Sequence, residues 1–244
     1  MNEQNYSLEV NSKWRNWRSR YVASNNARES AYQVIREKII NLEFKPGEPL
    51  SDKQLATELE MSRTPVREAL IILANSNMVI FKPQSGTFVA PIDTEWMELE
   101  QFSRYVMEKE IIGLACGKIS DQLAQRYHEN LKVYQSLEQS HESERVQRML
   151  DIDNEFHSIA FAAVGRESNF YHMLNGMQHM ERMRILSIMG MSQNIINNEH
   201  QEICRAMIEG NPVSAQYWLD VHLHRYRENL KEVKEKFPEY FTLG

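Results

Sequence analysis

A mainly α fold in two domains is what this sequence predicts, and three observations carry the prediction. Between Ser51 and Gly86, two short helical patterns are followed by a pair of β-rich runs around a tight turn. From Asp93 onward, apolar residues recur at helical spacing with short breaks and no convincing strand. The 244 residues, 42% hydrophobic and 25% charged, are enough for two compact cores of ordinary composition. The expected division is an extension at 1–25, a small domain with a β-hairpin at 26–92, and an all-α antiparallel bundle at 93–244.

The elements follow in order. Arg28 to Leu42 sets Ala31, Val34, Ile35, Ile39 and Leu42 on one helical stripe, and the segment from Phe44 to Leu50, with Pro46, Gly47 and Pro49, is a stiff connector. Ser51 and Gln54 form a capping box, so a helix opens at Asp52 with Leu55, Ala56 and Leu59 inward. After a break at Glu60-Met61, a second helix is expected with Thr64 as N-cap and Pro65 at its first position, where a missing N–H costs nothing. Val66, Ala69, Leu70 and Leu73 form its core stripe. Arg63 and Arg67 fall on the other side near its N-terminus, where a recognition helix offers side chains to base edges and phosphates. Met78–Lys82 and Thr87–Pro91 are β-rich runs around Pro83-Gln84-Ser85-Gly86, the composition of a hairpin turn. Together these make a winged helix-turn-helix.

The remainder is expected as six helices near 93–116, 120–139, 143–164, 167–188, 192–209 and 212–235, broken at Gly165, Gly190, Gly210-Asn211-Pro212 and Phe237-Pro238. No apolar run reaches membrane-spanning length and the N-terminus is polar, so a cytoplasmic protein with no membrane partner is expected. Cys116 and Cys204 lack CxxC spacing and suit buried thiols in a reducing compartment.

The net charge of −6 looks wrong for a partner of nucleic acid until the chain is divided. Residues 1–92 hold 12 basic against 10 acidic side chains, net +2, and the remaining 16 against 24 give −8. Placement of Lys53, Arg63 and Arg67 matters more for groove contact than the total. In the extension, Trp14, Trp17 and Tyr21 interleave with Lys13, Arg15, Arg18 and Arg20. Such an arm can lie along DNA, or its rings can pack on the protein or a dimer mate.

In the helical half, Asp153 and His157 are four residues apart and share a helix face, while His200 and His222 stand on later helices. One carboxylate with three imidazoles suits a borderline divalent cation such as Zn²⁺, Ni²⁺ or Mn²⁺ and leaves room for a further ligand. His224 is turned about 200° from His222 on the same helix; it, His172 and His179 are assigned no metal. Met173, Met177, Met180 and Met183 recur at helical spacing, which fits adaptable packing better than a cofactor box.

With these residues in view, positions 28–92 resemble the winged-helix domain of the GntR family of bacterial transcription factors. The likeness lies in the G-x-x-L-x(4)-LA pattern, the segment Ser62-Arg63-Thr64-Pro65-Val66-Arg67-Glu68-Ala69-Leu70, and the G-x-F-V wing that starts at Gly86. Glu60 and Asn77 stand where the family has turn glycines, and Ser85 replaces the basic residue common at the wing tip. Asp153-x-x-x-His157, the segment opening Glu199-His200, and His222 are similar to the metal-binding pattern of the FCD effector domain of the FadR subfamily.

The resemblance implies a DNA-binding regulator, more readily a repressor than an activator, acting as a homodimer on a palindromic operator and not as an enzyme. Lys53, Arg63, Thr64, Pro65, Arg67 and Gly86 would meet DNA; Asp153, His157, His200 and His222 would hold the metal. Arg104 matches the family's first effector-domain helix and, with Arg182 and Arg184, would hold a small organic or sugar acid through bidentate guanidinium contacts. Arg104 could instead pair with Glu108 on the helix surface. Two other readings stand beside this one: a regulator whose signal is the ion itself, and a metal-dependent hydrolase, which the DNA-binding half and the lack of an evident nucleophile oppose.

Overall fold

The computed structural model describes residues 26–140, 144–190 and 194–242. The extension, with its Trp14, Trp17 and Tyr21, lies outside them. By internal contacts the chain forms two units, one of 26–95 with 237–242 and one of 96–236.

In the first unit, the Asn26 side chain caps α1 (Ala27–Ile40) by accepting the amide of Arg28. Ala31, Ile35 and Ile39 are fully buried, whereas Val34, expected in the same stripe, is 36% exposed. At 100° per residue it sits roughly 90° from the centre of that stripe. The second helix, α2 (Asp52–Glu58), opens where the capping box places it, with Ser51 Oγ accepting the Gln54 amide at 3.3 Å. The third, α3 (Arg63–Asn75), starts two residues earlier than expected: Ser62 is the N-cap, its side chain makes no capping bond, and Thr64 and Pro65 lie inside the first turn. Proline is tolerated there because first-turn amides have no intrahelical acceptor to lose.

Val66, Ala69, Leu70 and Leu73 are buried against α1 and α2 as their spacing requires. Glu60 and Asn77, the two positions that replace family glycines, take left-handed φ of 53° and 56°. The hairpin pairs β1 (Val79–Lys82) with β2 (Gly86–Val89) in antiparallel register, Val79 opposite Val89 and Lys82 opposite Gly86. The C-terminal segment returns to this unit. Phe241 makes a parallel bridge to Ile92, whose amide donates to the Tyr240 carbonyl at 2.7 Å and whose carbonyl accepts from Thr242 at 3.1 Å.

The second unit is helical: α4 (Thr94–Ala115), α5 (Asp121–Glu138), α6 (Arg145–Ala163), α7 (Glu167–Asn175), α8 (Gln178–Gly190), α9 (Asn194–Ile208), α10 (Pro212–His224) and α11 (Tyr226–Lys236). Two of the six expected helices are each divided in two. The first divides at Gly176-Met177, and α8 begins afresh because Glu100 on α4 accepts the amides of Gln178, His179 and Met180 at 2.8–3.2 Å. That carboxylate satisfies donors which a helix start leaves orphaned. The second divides at Arg225, whose amide bonds back three residues to His222. Ile112, Tyr127, Phe156, Ile159, Ile203, Met207 and Leu219 form the core, with Cys204 buried among them. Among the described residues no helix is long and apolar enough to cross a membrane.

Candidate nucleic-acid interface and metal centre

In the first unit, Lys53, Arg63, Thr64, Arg67 and Gly86 are exposed and Pro65 is half-buried. Arg63 and Arg67, one turn apart at the start of α3, share one carboxylate that sequence reasoning missed. Arg63 Nη2 donates to both Asp52 oxygens at 2.8 and 2.9 Å, and Arg67 Nε donates to Oδ2 at 2.5 Å. Burial acts to raise the Asp52 pKa, but the two guanidiniums outweigh it and hold the carboxyl below its ordinary value. The helix N-terminus thus presents two arginines held in fixed relation.

The second unit gathers Asp153 and His157 from α6, His200 from α9 and His222 from α10, all buried, with one donor atom from each within 4.8 Å of the others. His157 Nδ1 lies 2.6 Å from Glu108 Oε2, and His222 Nδ1 lies 3.1 Å from Glu199 Oε2. Each carboxylate accepts an Nδ1–H, which sets the tautomer and leaves Nε2 as a lone-pair acceptor. Those two Nε2 atoms face each other at 3.2 Å. Two acceptors at that distance repel unless a cation or proton lies between them. Burial pushes the His157 pKa down and that of His200 well below its ordinary value, which favours the neutral imidazoles that ligate metals.

His200 completes the argument. Its Nε2 is 3.5 Å from Asp153 Oδ1, and neither of its ring nitrogens has a hydrogen-bond partner. Burial acts to raise the Asp153 pKa, but Arg184, followed by His200 and His157, outweighs it and keeps the carboxyl far below its usual range. An orphaned buried imidazole, two opposed lone pairs and an ionised carboxylate fit a divalent cation. A bound ion of this kind would supply a fixed positive charge among these buried side chains.

Beside this cluster lies a cavity of about 80 Å³ whose lining includes Arg104, Asp153, Arg184 and His222. Arg104 Nε donates to Glu108 Oε1 at 2.6 Å, so the pair anticipated as a surface alternative exists but is buried, 4% and 3% exposed. Burial acts to raise the Glu108 pKa, but Arg104 and then His157 bring its carboxyl down to about 2. Arg104 Nη2 is buried with no partner. Arg184 binds Asp153, Glu181 and Asn154. Arg182 is not brought to the cavity: it is fully buried, with Nη2 3.0 Å from His179 Nδ1. His224 stays apart from the cluster, on the Asp220 carbonyl, and Met180 and Met183 form part of the cavity wall.

Glu108 and Glu199 were not singled out in the sequence as ligand supports. Glu199 directly precedes His200, and Glu108 is four residues from Arg104, but neither neighbour is the histidine it supports. That pairing exists only once α4, α6, α9 and α10 are packed.

Residues 27–89 match the family described as bacterial regulatory proteins, gntR family, and residues 101–225 match the FCD domain, about half of the chain. The chain belongs to the GntR family. A regulator in an unstable DNA locus of Streptomyces ambofaciens is 26% identical over 88% of this chain and 89% of its own length. The transcriptional repressor RspR of Escherichia coli K12 is 22% identical over 86% and 92%. A solved GntR transcriptional regulator from Rhodococcus sp. RHA1 shares the fold with a TM-score of 0.65, 21% identity, and coverage of 84% and 97%. This GntR-family chain is therefore a DNA-binding transcriptional regulator and not an enzyme, and its FCD domain fits the FadR subfamily.

Proposed function

We propose that the protein is a cytoplasmic repressor that binds a palindromic operator as a homodimer and responds to a small organic or sugar acid held at a metal-containing pocket. The observation that carries this reading is the opposed Nε2 pair of His157 and His222 beside a cavity walled by Arg104, whose Nη2 is buried and unpaired. A carboxylate meets both needs at once, one oxygen toward the cation of Asp153, His157, His200 and His222 and another toward the guanidinium. Arg63 and Arg67 read bases, Lys53 and Thr64 hold phosphates, and Pro65 and Gly86 set backbone against the duplex. The homodimer is supported by the outer face of α4, where Trp96, Leu99, Phe102 and Val106 are 48–66% exposed, an apolar stripe of the kind that marks an interface. The acid regulates by binding one arrangement of the DNA-binding units better than the other.

The test is operator affinity across a panel of organic and sugar acids, with metal present and after chelation. Release of DNA by one acid in the metal-loaded protein alone supports the reading. If no acid matters and affinity follows free metal concentration, the ion itself is the signal.

A further inference from the structure

We propose that Gln101 reads a hydrogen-bond donor on the effector, so that the ligand is an acid bearing a hydroxyl or an ammonium close to its carboxylate. The proposal rests on the acid-binding reading above and narrows it. Gln101 and Arg104 lie one turn apart on the same face of α4, both line the cavity, and they are 5% and 3% exposed.

Their unmet bonding capacities are opposite. Arg104 Nη2 is a donor without an acceptor, and Gln101 Oε1 is an acceptor without a donor. The glutamine's orientation is settled by its other end: Nε2 donates to the Leu223 carbonyl at 2.6 Å, and flipping the amide would set two carbonyl oxygens against each other. Oε1 is therefore the atom left toward a ligand. A carboxylate satisfies the guanidinium but offers the amide oxygen nothing, since an ionised carboxylate only accepts.

One ligand that meets both atoms has a carboxylate and an O–H or N–H within one helical turn of it. Met180, Met183 and Ile188 give the cavity an apolar side, while Ser187, Tyr226 and Asn229 add further polar groups to its lining. In the ligand-free protein a water can serve Oε1. An acid without the donor displaces that water and replaces none of its bonds, so it is rejected by about ten- to a hundredfold against its donor-bearing counterpart.

The experiment is calorimetric titration of the metal-loaded full chain with matched acids: propionate, lactate and alanine, then butyrate, 3-hydroxybutyrate and 3-aminobutyrate. Supporting the proposal, a hydroxy or amino member binds at least about tenfold tighter than its plain counterpart, and Gln101→Met reduces that ratio to about one. A merely structural role for Gln101 weakens all members together and keeps the ratio, which overturns it. Whichever member gains the affinity identifies the donor as hydroxyl or ammonium, and whichever series it belongs to places that donor on the carbon next to the carboxylate or on the one after it. Equal affinities within each set in the wild-type protein, a result that needs no variant, overturn the role of Gln101 and leave the acid reading intact. Absence of binding by every member overturns both.

Discussion

Replacing Asp52 with asparagine tests whether the two arginines at the start of α3 work as an oriented pair. The Asp52 side chain is 20% exposed, and its partners Arg63 and Arg67 are 54% and 65% exposed. Exposed pairs of this kind contribute about 0.2–1 kcal/mol each, so Asp52→Asn should change folding stability by no more than about 1–2 kcal/mol. Its effect on DNA should be of comparable size but of two signs. A carboxylate about 8 Å from a phosphate costs about 0.5 kcal/mol even in bulk water, so its loss raises affinity for arbitrary duplex about two- to fivefold. A bidentate arginine–guanine contact discriminates by about 1–3 kcal/mol. With the arginines no longer held, part of that is spent ordering them, and the ratio of operator to non-operator affinity should fall about tenfold. Fluorescence anisotropy between 50 and 200 mM salt, with a duplex selected from random sequence and a scrambled one, measures both quantities. A ratio that stays constant or rises would show that Asp52 merely restrains the arginines, and the reasoning would be wrong.

Removing metal should lower the melting temperature by about 5–10 °C, since an ion at 100 times its dissociation constant stabilises by about 2.7 kcal/mol. Zn²⁺, Ni²⁺ or Mn²⁺ should restore it in the wild type but not in His200→Ala, and Glu199→Gln should weaken metal binding about ten- to a hundredfold; a melt indifferent to chelator refutes the site. Burial pushes the Glu100 carboxyl from 4.5 up to about 7, against the amides of Met180, His179 and Gln178. A folded pKa raised above the unfolded value contributes stability fully present below pH 4.5 and lost as pH rises through 7. Urea unfolding at pH 5 and pH 8 should therefore show the wild type losing on the order of 2 kcal/mol more than Glu100→Gln, and parallel losses would refute this. Glu60→Gly should stabilise the first unit by about 0.5–1 kcal/mol, because Glu60 holds a φ of 53° that favours glycine; a lower urea midpoint would contradict that.

Local chemistry made the first unit legible. The capping box at Ser51 and the stripe of Val66, Ala69, Leu70 and Leu73 depend on neighbours within a turn, and both appear where their spacing puts them. The start of α3 was misplaced because Thr64-Pro65 looks like a cap and first residue, whereas Ser62-Arg63 supplies them. In the second unit, the helical period identified the stripes but not the breaks at Gly176-Met177 and Arg225. The first depends on Glu100, a carboxylate 78 residues before the amide of Gln178. Asp153, His157, His200 and His222 could be grouped from residue type and a known pattern. The atoms that set their tautomers could not, since Glu108 reaches His157 across 49 positions of sequence. Arg182 shows the limit from the other side, a charged residue chosen for a cavity that its helix turns it away from.

The bridge between Ile92 and Phe241 gives the chain an order of assembly. In connectivity, the 96–236 unit is an insertion within the unit that carries α1 to α3 and the hairpin. A ribosome makes Ile92 about 150 residues before the segment that pairs with it, so the unit begun first is completed last. Until then Ile92, fully buried in the finished protein, lacks the backbone partners that Tyr240 and Thr242 provide. A nascent chain therefore finishes its DNA-reading unit only after the whole sensor-like bundle has been synthesised, and a cut or fusion just before Phe241 should be felt at the wing rather than in the bundle next to it in sequence.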